Sequence, residues 1–213
     1  MSGAVPTWTL ERGEAGYPTR LHTCLGRDAP ERLSFCGQRH LFERHARWLG
    51  LFASVRCPGS VILRTYDLSI ALRQAGVPVI GGFHSPMEQE ALRLLLRGQQ
   101  PVILSPARGL QGMRLKQEHR QPVAEGRLLI MSAFVDGVRR STSQSAAYRN
   151  RIVAALADAL LVAHAQPGGK TEALVRQALG WGKTVYTLDS PANEHLTTLG
   201  ARAFDLEEWV RGR

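Results

Sequence analysis

Residues 148–174 read YRNRIVAALADALLVAHAQPGGKTEAL, and this stretch decides the fold. Its first ten residues have the apolar spacing of a helix that opens with a basic cluster. The run ALLVAHA (159–165) is apolar without alternation, which is typical of a strand buried on both faces. A glycine pair then leads into a second helical segment at 170–182. A buried strand between two helices predicts a parallel sheet that is covered on both sides.

The same alternation of apolar runs and helical segments continues along most of the chain. We predict strands at 51–56, 77–82, 101–104, 127–132, 159–165 and 184–188, with a short one at 201–204. We predict helices at 61–76, 87–98, 148–157, 170–182 and 205–213. This order predicts an α/β, Rossmann-like, doubly wound fold with a mostly parallel sheet of about six or seven strands in three α/β/α layers. Residues 1–45 are rich in Pro, Gly and charge, and we expect an irregular N-terminal extension before a domain at 46–213.

The composition is that of a globular protein, with 44% apolar and 21% charged residues in a chain of 213. No apolar run approaches the roughly 18 residues that span a bilayer, and no secretory signal is recognisable, so we expect a cytoplasmic protein without a membrane partner. Cys24, Cys36 and Cys57 form no CxxC pair, and the seven histidines are scattered. We therefore expect reduced thiols, no metal and no resident cofactor beyond a bound nucleotide or phosphate.

The charge balance favours an anionic partner. The formal net charge is +9, and the only lysines are Lys116, Lys170 and Lys183, so arginine supplies nearly all of the positive charge. A GC-rich genome would explain the choice of arginine over lysine but not the surplus over acidic residues. Arginine binds phosphate through two parallel hydrogen bonds, which favours a nucleic acid or a nucleotide as the ligand.

Anion-binding groups are expected in the loops that follow the strands, where helix N-termini present free N–H groups. The best candidates are GGFHSP (81–86) and QPGGKT (166–171), since glycine lets a phosphate approach the backbone. Neither is a Walker A motif, because position 164 is His where that motif needs glycine. Strand-to-helix turns also use glycine without any ligand, and that structural alternative stays open.

Four segments together resemble the Rossmann domain of the DNA-processing protein DprA/Smf family, within the SLOG/LOG-like superfamily. They are GYPTRL…DAPERL (16–33), GGFHSPMEQEAL (81–92), residues 149–174, and ALGWGKTVYTL (178–188), so the resemblance spans about residues 16–204. It implies a non-catalytic protein that binds single-stranded DNA in a basic pocket at the C-terminal edge of the sheet. It further implies a homodimer that passes DNA to a RecA-type recombinase.

The resemblance also assigns residues by position. Gly81, Gly82 and Ser85 match the family's Ser-Gly-x-x-x-Gly loop, Arg149 and Arg151 match its Arg-Asn-Arg pair, and 168–171 match its Gly-Ser-Gly-type turn. Loops and resemblance together give the candidate contacts to phosphate or nucleic acid: Gly59, Ser60, Gly81, Gly82, His84, Ser85, Arg139, Arg140, Tyr148, Arg149, Asn150, Arg151, Gly168, Gly169, Lys170 and Thr171.

Three functional hypotheses remain open at this point. The first is a binding protein for single-stranded nucleic acid, used in DNA processing, recombination or uptake. The second is a sensor or carrier of a small nucleotide that uses the same loops. The third is an enzyme, because PGGKTEAL also resembles the signature of nucleoside-monophosphate phosphoribohydrolases, with Glu172 as the candidate catalytic carboxylate. A glutamate in the first turn of a helix is also favoured by the helix dipole alone.

Overall fold

A computed structural model describes residues 5–43 and 47–212. One sheet of nine strands runs through these residues: β1 (Thr7–Glu11), β2 (Arg32–Cys36), β3 (Leu49–Ala53), β4 (Val79–Gly81), β5 (Val102–Leu104), β6 (Leu128–Ser132), β7 (Ala159–His164), β8 (Thr184–Thr187) and β9 (Arg202–Ala203). The strand order is β1-β2-β6-β5-β4-β3-β7-β8-β9. The strands from β3 to β9 pair in parallel, and β1 and β2 are antiparallel additions at one edge.

Helices cover both faces of the sheet. They are α1 (Thr19–Leu25), α2 (His40–Glu43), α3 (Gly59–Gln74), α4 (Pro86–Leu95), α5 (Gln117–Ala124), α6 (Ser143–Leu156), α7 (Lys170–Gly180), α8 (Glu194–Thr198) and α9 (Leu206–Arg211). Helices α1, α6, α7 and α8 share one hydrophobic core with the sheet, and α3, α4, α5 and α9 share the other. The predicted three-layer Rossmann-like fold is confirmed, and all seven predicted strands are present with two more.

Local capping explains where the helices begin. Helix α4 starts at Pro86, because the Ser85 side chain accepts the Glu88 N–H while Glu88 accepts the Ser85 N–H. Helix α6 starts at Ser143 rather than at the predicted residue 148, since Thr142 and Ser145 form a second reciprocal cap. The predicted C-terminal helix ends at Arg211, and residue 213 lies outside the described residues.

The prediction of an irregular segment at 1–45 is wrong for the part that the structure describes; residues 1–4 and 44–45 lie outside it. Strand β2 pairs antiparallel with β6, with Phe35 opposite Met131, and β1 pairs with β2. The Trp8 and Phe35 rings stack with their centroids 3.8 Å apart. The two five-residue strands, TWTLE and RLSFC, mix polar and apolar residues and so lack the continuous apolar pattern that predicts the other strands.

The chain order places a topological switch point in the sheet. From β3 the chain builds outward through β4, β5 and β6, and it then returns to the other side of β3 to form β7 and β8. The carboxyl ends of these parallel strands lie along one edge, where ligands of open α/β sheets bind. We call it the carboxyl edge. Among the described helices, none is both long and apolar enough to span a bilayer.

Candidate nucleic-acid interface

A large cavity opens between α4 and α5, and we call it the basic cleft. It extends from the loops that follow β4, β5 and β6 at the carboxyl edge to Leu96, Arg97 and Arg127 near the amino ends of β5 and β6. Its volume is about 1090 Å³. Nine of its lining residues are basic and two, Glu90 and Glu118, are acidic. The basic residues are Arg93, Arg97, Arg108, Arg114, Lys116, Arg127, Arg139, Arg140 and Arg149. The cleft therefore concentrates a third of the chain's 27 Lys and Arg residues.

Most of these cations are free to meet a ligand. Three have carboxylate partners, since Arg93 pairs with Glu90, Lys116 with Glu118 at 3.5 Å, and Arg127 with Glu125. Five others are exposed and form no ion pair within the described residues: Arg97, Arg108, Arg114, Arg139 and Arg140. Their uncompensated charge gives the cleft a positive field that attracts polyanions.

The loop after β4 is held together by a buried carboxylate. Glu88 accepts hydrogen bonds from the N–H groups of Ala53 (2.9 Å), His84 (2.8 Å) and Ser85 (3.1 Å). The sequence predicts this loop as a phosphate site, whereas in the structure Glu88 occupies its N–H groups. Ser85 is only 3% exposed and its hydroxyl caps α4, while His84 is exposed and lines the cleft.

Arg149 occupies a position that differs from the predicted one. Its side chain is 3% exposed, and its Nη1 donates to the carbonyl oxygens of Gly82 (2.9 Å) and Ser105 (2.7 Å). Its Nε donates to Asn150 Oδ1 at 2.7 Å. Burial lowers the pKa of Arg149, and the nearby Glu88 carboxylate opposes that shift. Arg149 therefore clamps the ends of β4 and β5 beneath the inner end of the cleft.

Two glycines of this loop are required by their neighbours. A Cβ atom on Gly82 would lie 2.1 Å from Arg149 Cζ, and one on Gly81 would lie 2.9 Å from the Phe83 ring. Phe83 is the one described non-glycine residue with a left-handed backbone, at φ 46°, and its ring is only 5% exposed. Gly81 and Gly82 thus make room for the protein's own side chains.

A second group of predicted residues lies at the switch point, around the loops after β3 and β7. The Ser54 hydroxyl contacts Thr171 Oγ1 at 3.2 Å and accepts the Gln166 N–H at 3.0 Å, which ties the two loops together. Gly168 has a left-handed backbone with φ 68°. Helices α3 and α7 begin here at Gly59 and Lys170 without a side-chain cap. Ser60 lies in the first turn of α3, and Gly169 is the residue immediately before α7.

Glu172 is fully engaged by the protein. Its Oε2 accepts the Gly168 N–H at 3.0 Å, and its Oε1 accepts from Arg176 at 2.8 Å. The Arg176 hydrogen bond and the Gly168 N–H lower the pKa of Glu172. The residue is 7% exposed, and its carboxylate ties the turn at Gly168 to Arg176 one turn further along α7. Lys170 beside it donates to Ser143 at the start of α6.

Tyr148 and Arg151 lie outside both the basic cleft and the switch point. They line a separate cavity of about 730 Å³ against the N-terminal segment. The Tyr148 hydroxyl donates to the Asp28 carbonyl at 2.9 Å, and burial raises its pKa. Arg151 pairs with the Asp28 carboxylate at 3.0 Å, and Phe134 packs edge-on to Tyr148. Both polar groups therefore have partners of their own.

The predicted residues thus do not converge on one pocket. Gly82, His84, Arg139, Arg140 and Arg149 line the basic cleft, whereas the switch-point residues and the pair on α6 lie elsewhere. Sequence reasoning missed six cleft cations: Arg93, Arg97, Arg108, Arg114, Lys116 and Arg127. A signal existed for three of them, because SPARGLQGMRLK (105–116) is a strand-to-helix loop with three basic residues.

Comparisons with known proteins agree with this architecture. The structure matches DNA processing protein A (DprA) from Streptococcus pneumoniae with a TM-score of 0.78 and 19% identity, covering 100% of this chain and 75% of that one. It matches DprA from Helicobacter pylori, described with its single-stranded DNA binding mode, with a TM-score of 0.76 and 19% identity, covering 100% and 97% of the two chains.

A molybdenum cofactor binding protein from Rippkaea orientalis shares the fold more distantly, with a TM-score of 0.54 and 12% identity over 79% of this chain and 98% of that one. No curated protein matches the sequence. The model of the family described as DNA recombination-mediator protein A matches residues 8–204, which is most of the chain. With its Rossmann-like sheet and this match, the chain belongs to the DNA recombination-mediator protein A (DprA) family.

Proposed function

We propose that this protein binds single-stranded DNA without catalysis and holds the phosphates in the basic cleft. The observation that carries the proposal is the charge of that cleft, with nine basic and two acidic residues lining a cavity that reaches the edge where α/β sheets bind ligands. Membership of the DprA family and the DNA-binding description of the Helicobacter pylori relative support the choice of ligand. A RecA-type recombinase and a homodimer stay predictions from the resemblance, and a cytoplasmic location stays a prediction from the sequence composition.

The unpaired arginines set the expected salt dependence. Each phosphate that a cation neutralises releases counterions, and for single strands the slope of log K against log salt is about −0.7 per contact. With all five unpaired arginines engaged, the slope would be roughly −3.5. The enzyme hypothesis has no support of this kind, because both oxygens of Glu172 are already hydrogen-bonded to the protein.

A second candidate is the binding of a small nucleotide at the switch point. The N-termini of α3 and α7 have no side-chain cap, so their backbone N–H groups can donate hydrogen bonds to a phosphate. Ser60 and Thr171 lie beside them. A ligand that binds only the folded state raises the melting temperature. Stabilisation by AMP but not by an oligonucleotide would favour this candidate over the first.

The test is fluorescence anisotropy of labelled dT20 across a salt series. Replacing Arg114 and Arg140 by Gln should reduce the salt slope by about 1.4, since two contacts at 0.7 each are lost. The matched control replaces Arg120 and Arg202, which are also exposed but lie outside the cleft lining. Absence of binding at low salt, or an equal loss in both double variants, would contradict the proposal.

A further inference from the structure

The basic cleft has two chemically different levels, and this organisation suggests how a strand lies in it. The exposed arginines stand at its rim. Its floor is apolar and includes Leu96, Leu104, Met113 and Leu115, which are half-buried and pack onto the core shared by α3, α4 and α5. Half-buried aliphatic side chains in a cleft this size leave apolar surface for a ligand to cover.

We infer that single-stranded DNA lies in the cleft with its bases turned inward onto this apolar floor and its phosphates outward along the arginine rim. The inference rests on the proposed function and adds the orientation of the strand. Nucleobases have flat faces that stack on or pack against apolar surface regardless of sequence, and the phosphates repeat along one side of the strand. The floor and the rim match these two parts of the ligand.

The opposite orientation is disfavoured by the floor. Phosphates placed there would lose their hydration without receiving hydrogen bonds, and burying an uncompensated charge is costly. The one buried cation at the inner end, Arg149, already has its Nη1 on the carbonyls of Gly82 and Ser105 and its Nε on Asn150. The unpaired cations that could neutralise phosphates, such as Arg114 and Arg139, are exposed at the rim.

The size of the cleft agrees with a short run of nucleotides. Its volume of about 1090 Å³ lies just above the range of cavities that enclose a drug-sized ligand, roughly 300–1,000 Å³. A mononucleotide is a ligand of that class, and the volume therefore accommodates at least one nucleotide. Bases that occupy the floor are unavailable for pairing, which makes the cleft selective for single strands over duplex.

The experiment is a competition for labelled dT12 at one fixed salt concentration. The competitors are unlabelled dT12 and an abasic 12-mer that has the same phosphodiester backbone without bases. Inward bases predict that the abasic strand competes at least tenfold more weakly. Equal competition, with dT12 itself bound, would overturn the inference and leave the proposed function standing. Failure of dT12 to bind at low salt would contradict both the inward orientation of the bases and the proposed function.

Variants of the floor give a second, independent measurement. Met113→Gln and Leu115→Gln should each weaken dT12 binding several-fold while leaving the salt slope unchanged, because they alter the floor and not the phosphate contacts. The matched control is Val135→Gln, at an aliphatic side chain that is 63% exposed and outside the cleft. Melting curves identify any variant that fails to fold. Folded floor variants with wild-type affinity, or with a reduced salt slope, would contradict inward bases.

Discussion

Replacing Gly82 by alanine tests the clamp that Arg149 forms beneath the cleft. The new methyl group would lie 2.1 Å from both Cζ and Nη1 of Arg149, far inside contact distance. Arg149 is 3% exposed and held by two carbonyl oxygens, so its guanidinium can avoid the new methyl group only by breaking these bonds and moving toward the cleft that it lines. We therefore expect Gly82→Ala to destabilise the fold strongly.

The magnitude follows from the bonds that are lost. Moving the guanidinium breaks its hydrogen bonds to Gly82 and Ser105, and bonds that involve a charged group contribute about 1.5–3 kcal/mol each. The expected loss is about 3–6 kcal/mol, a large part of the roughly 5–15 kcal/mol that stabilises a domain. At about 2–4 °C per kcal/mol for a chain of this size, the melting temperature should fall by roughly 6–24 °C.

Circular dichroism melting of the purified variant measures this shift. The matched control is Gly180→Ala at the end of α7, where no heavy atom lies within 4 Å of the new Cβ and the backbone is helical. Alanine is favoured over glycine in a helix by about 0.5–1 kcal/mol, so the control should melt at or above the wild-type temperature. A Gly82→Ala protein that melts within about 2 °C of wild type would refute the reasoning.

Two further predictions concern residues around the site. Burial lowers the pKa of His119 below its usual value near 6.5, so the unfolded chain takes up the proton first as the pH falls. The free energy of unfolding should therefore fall as the pH drops below about 6.5. His119→Gln should remove this part of the fall, which urea titrations between about pH 5 and 8 would measure. Plots of unfolding free energy against pH that run parallel for the wild type and the variant would disprove the prediction. Arg151→Met should leave the salt slope of dT20 binding unchanged, because Arg151 pairs with Asp28 outside the basic cleft. A reduced slope in the anisotropy assay would place Arg151 on the DNA path instead.

The sequence predicted the parallel part of the fold because its strands are continuous apolar runs. Strand β3, for example, is buried at every position. Strand β2 was missed because RLSFC is not a continuous apolar run, and helix α5 was missed because Pro122 lies inside it. Such short or interrupted elements are stabilised by neighbours that are distant in sequence, and a local pattern does not record them.

The site was predicted less completely, for two different reasons. Arg93 of α4, Arg97 just beyond that helix and Arg114 of the following loop line the same cleft, and this arrangement arises from packing of separate elements. The burial of Arg149, in contrast, was readable, since it shares a helical face with Ile152, three residues on, and both are buried. The Arg-Asn-Arg motif predicts a phosphate contact from the charge of this residue alone and does not take its position on the helix into account.

The antiparallel pairing of β2 with β6 has a consequence for the order of folding. Ser34 lies opposite Ser132 in the register, so β2 waits for a partner strand that is made almost a hundred residues later. Strand β2 has no position on the sheet while β3, β4 and β5 assemble, because docking it earlier loses chain entropy without the contacts that compensate. The β1–β2 edge of the sheet is thus completed only after β6 is in place, and the nascent chain exposes these two strands until then.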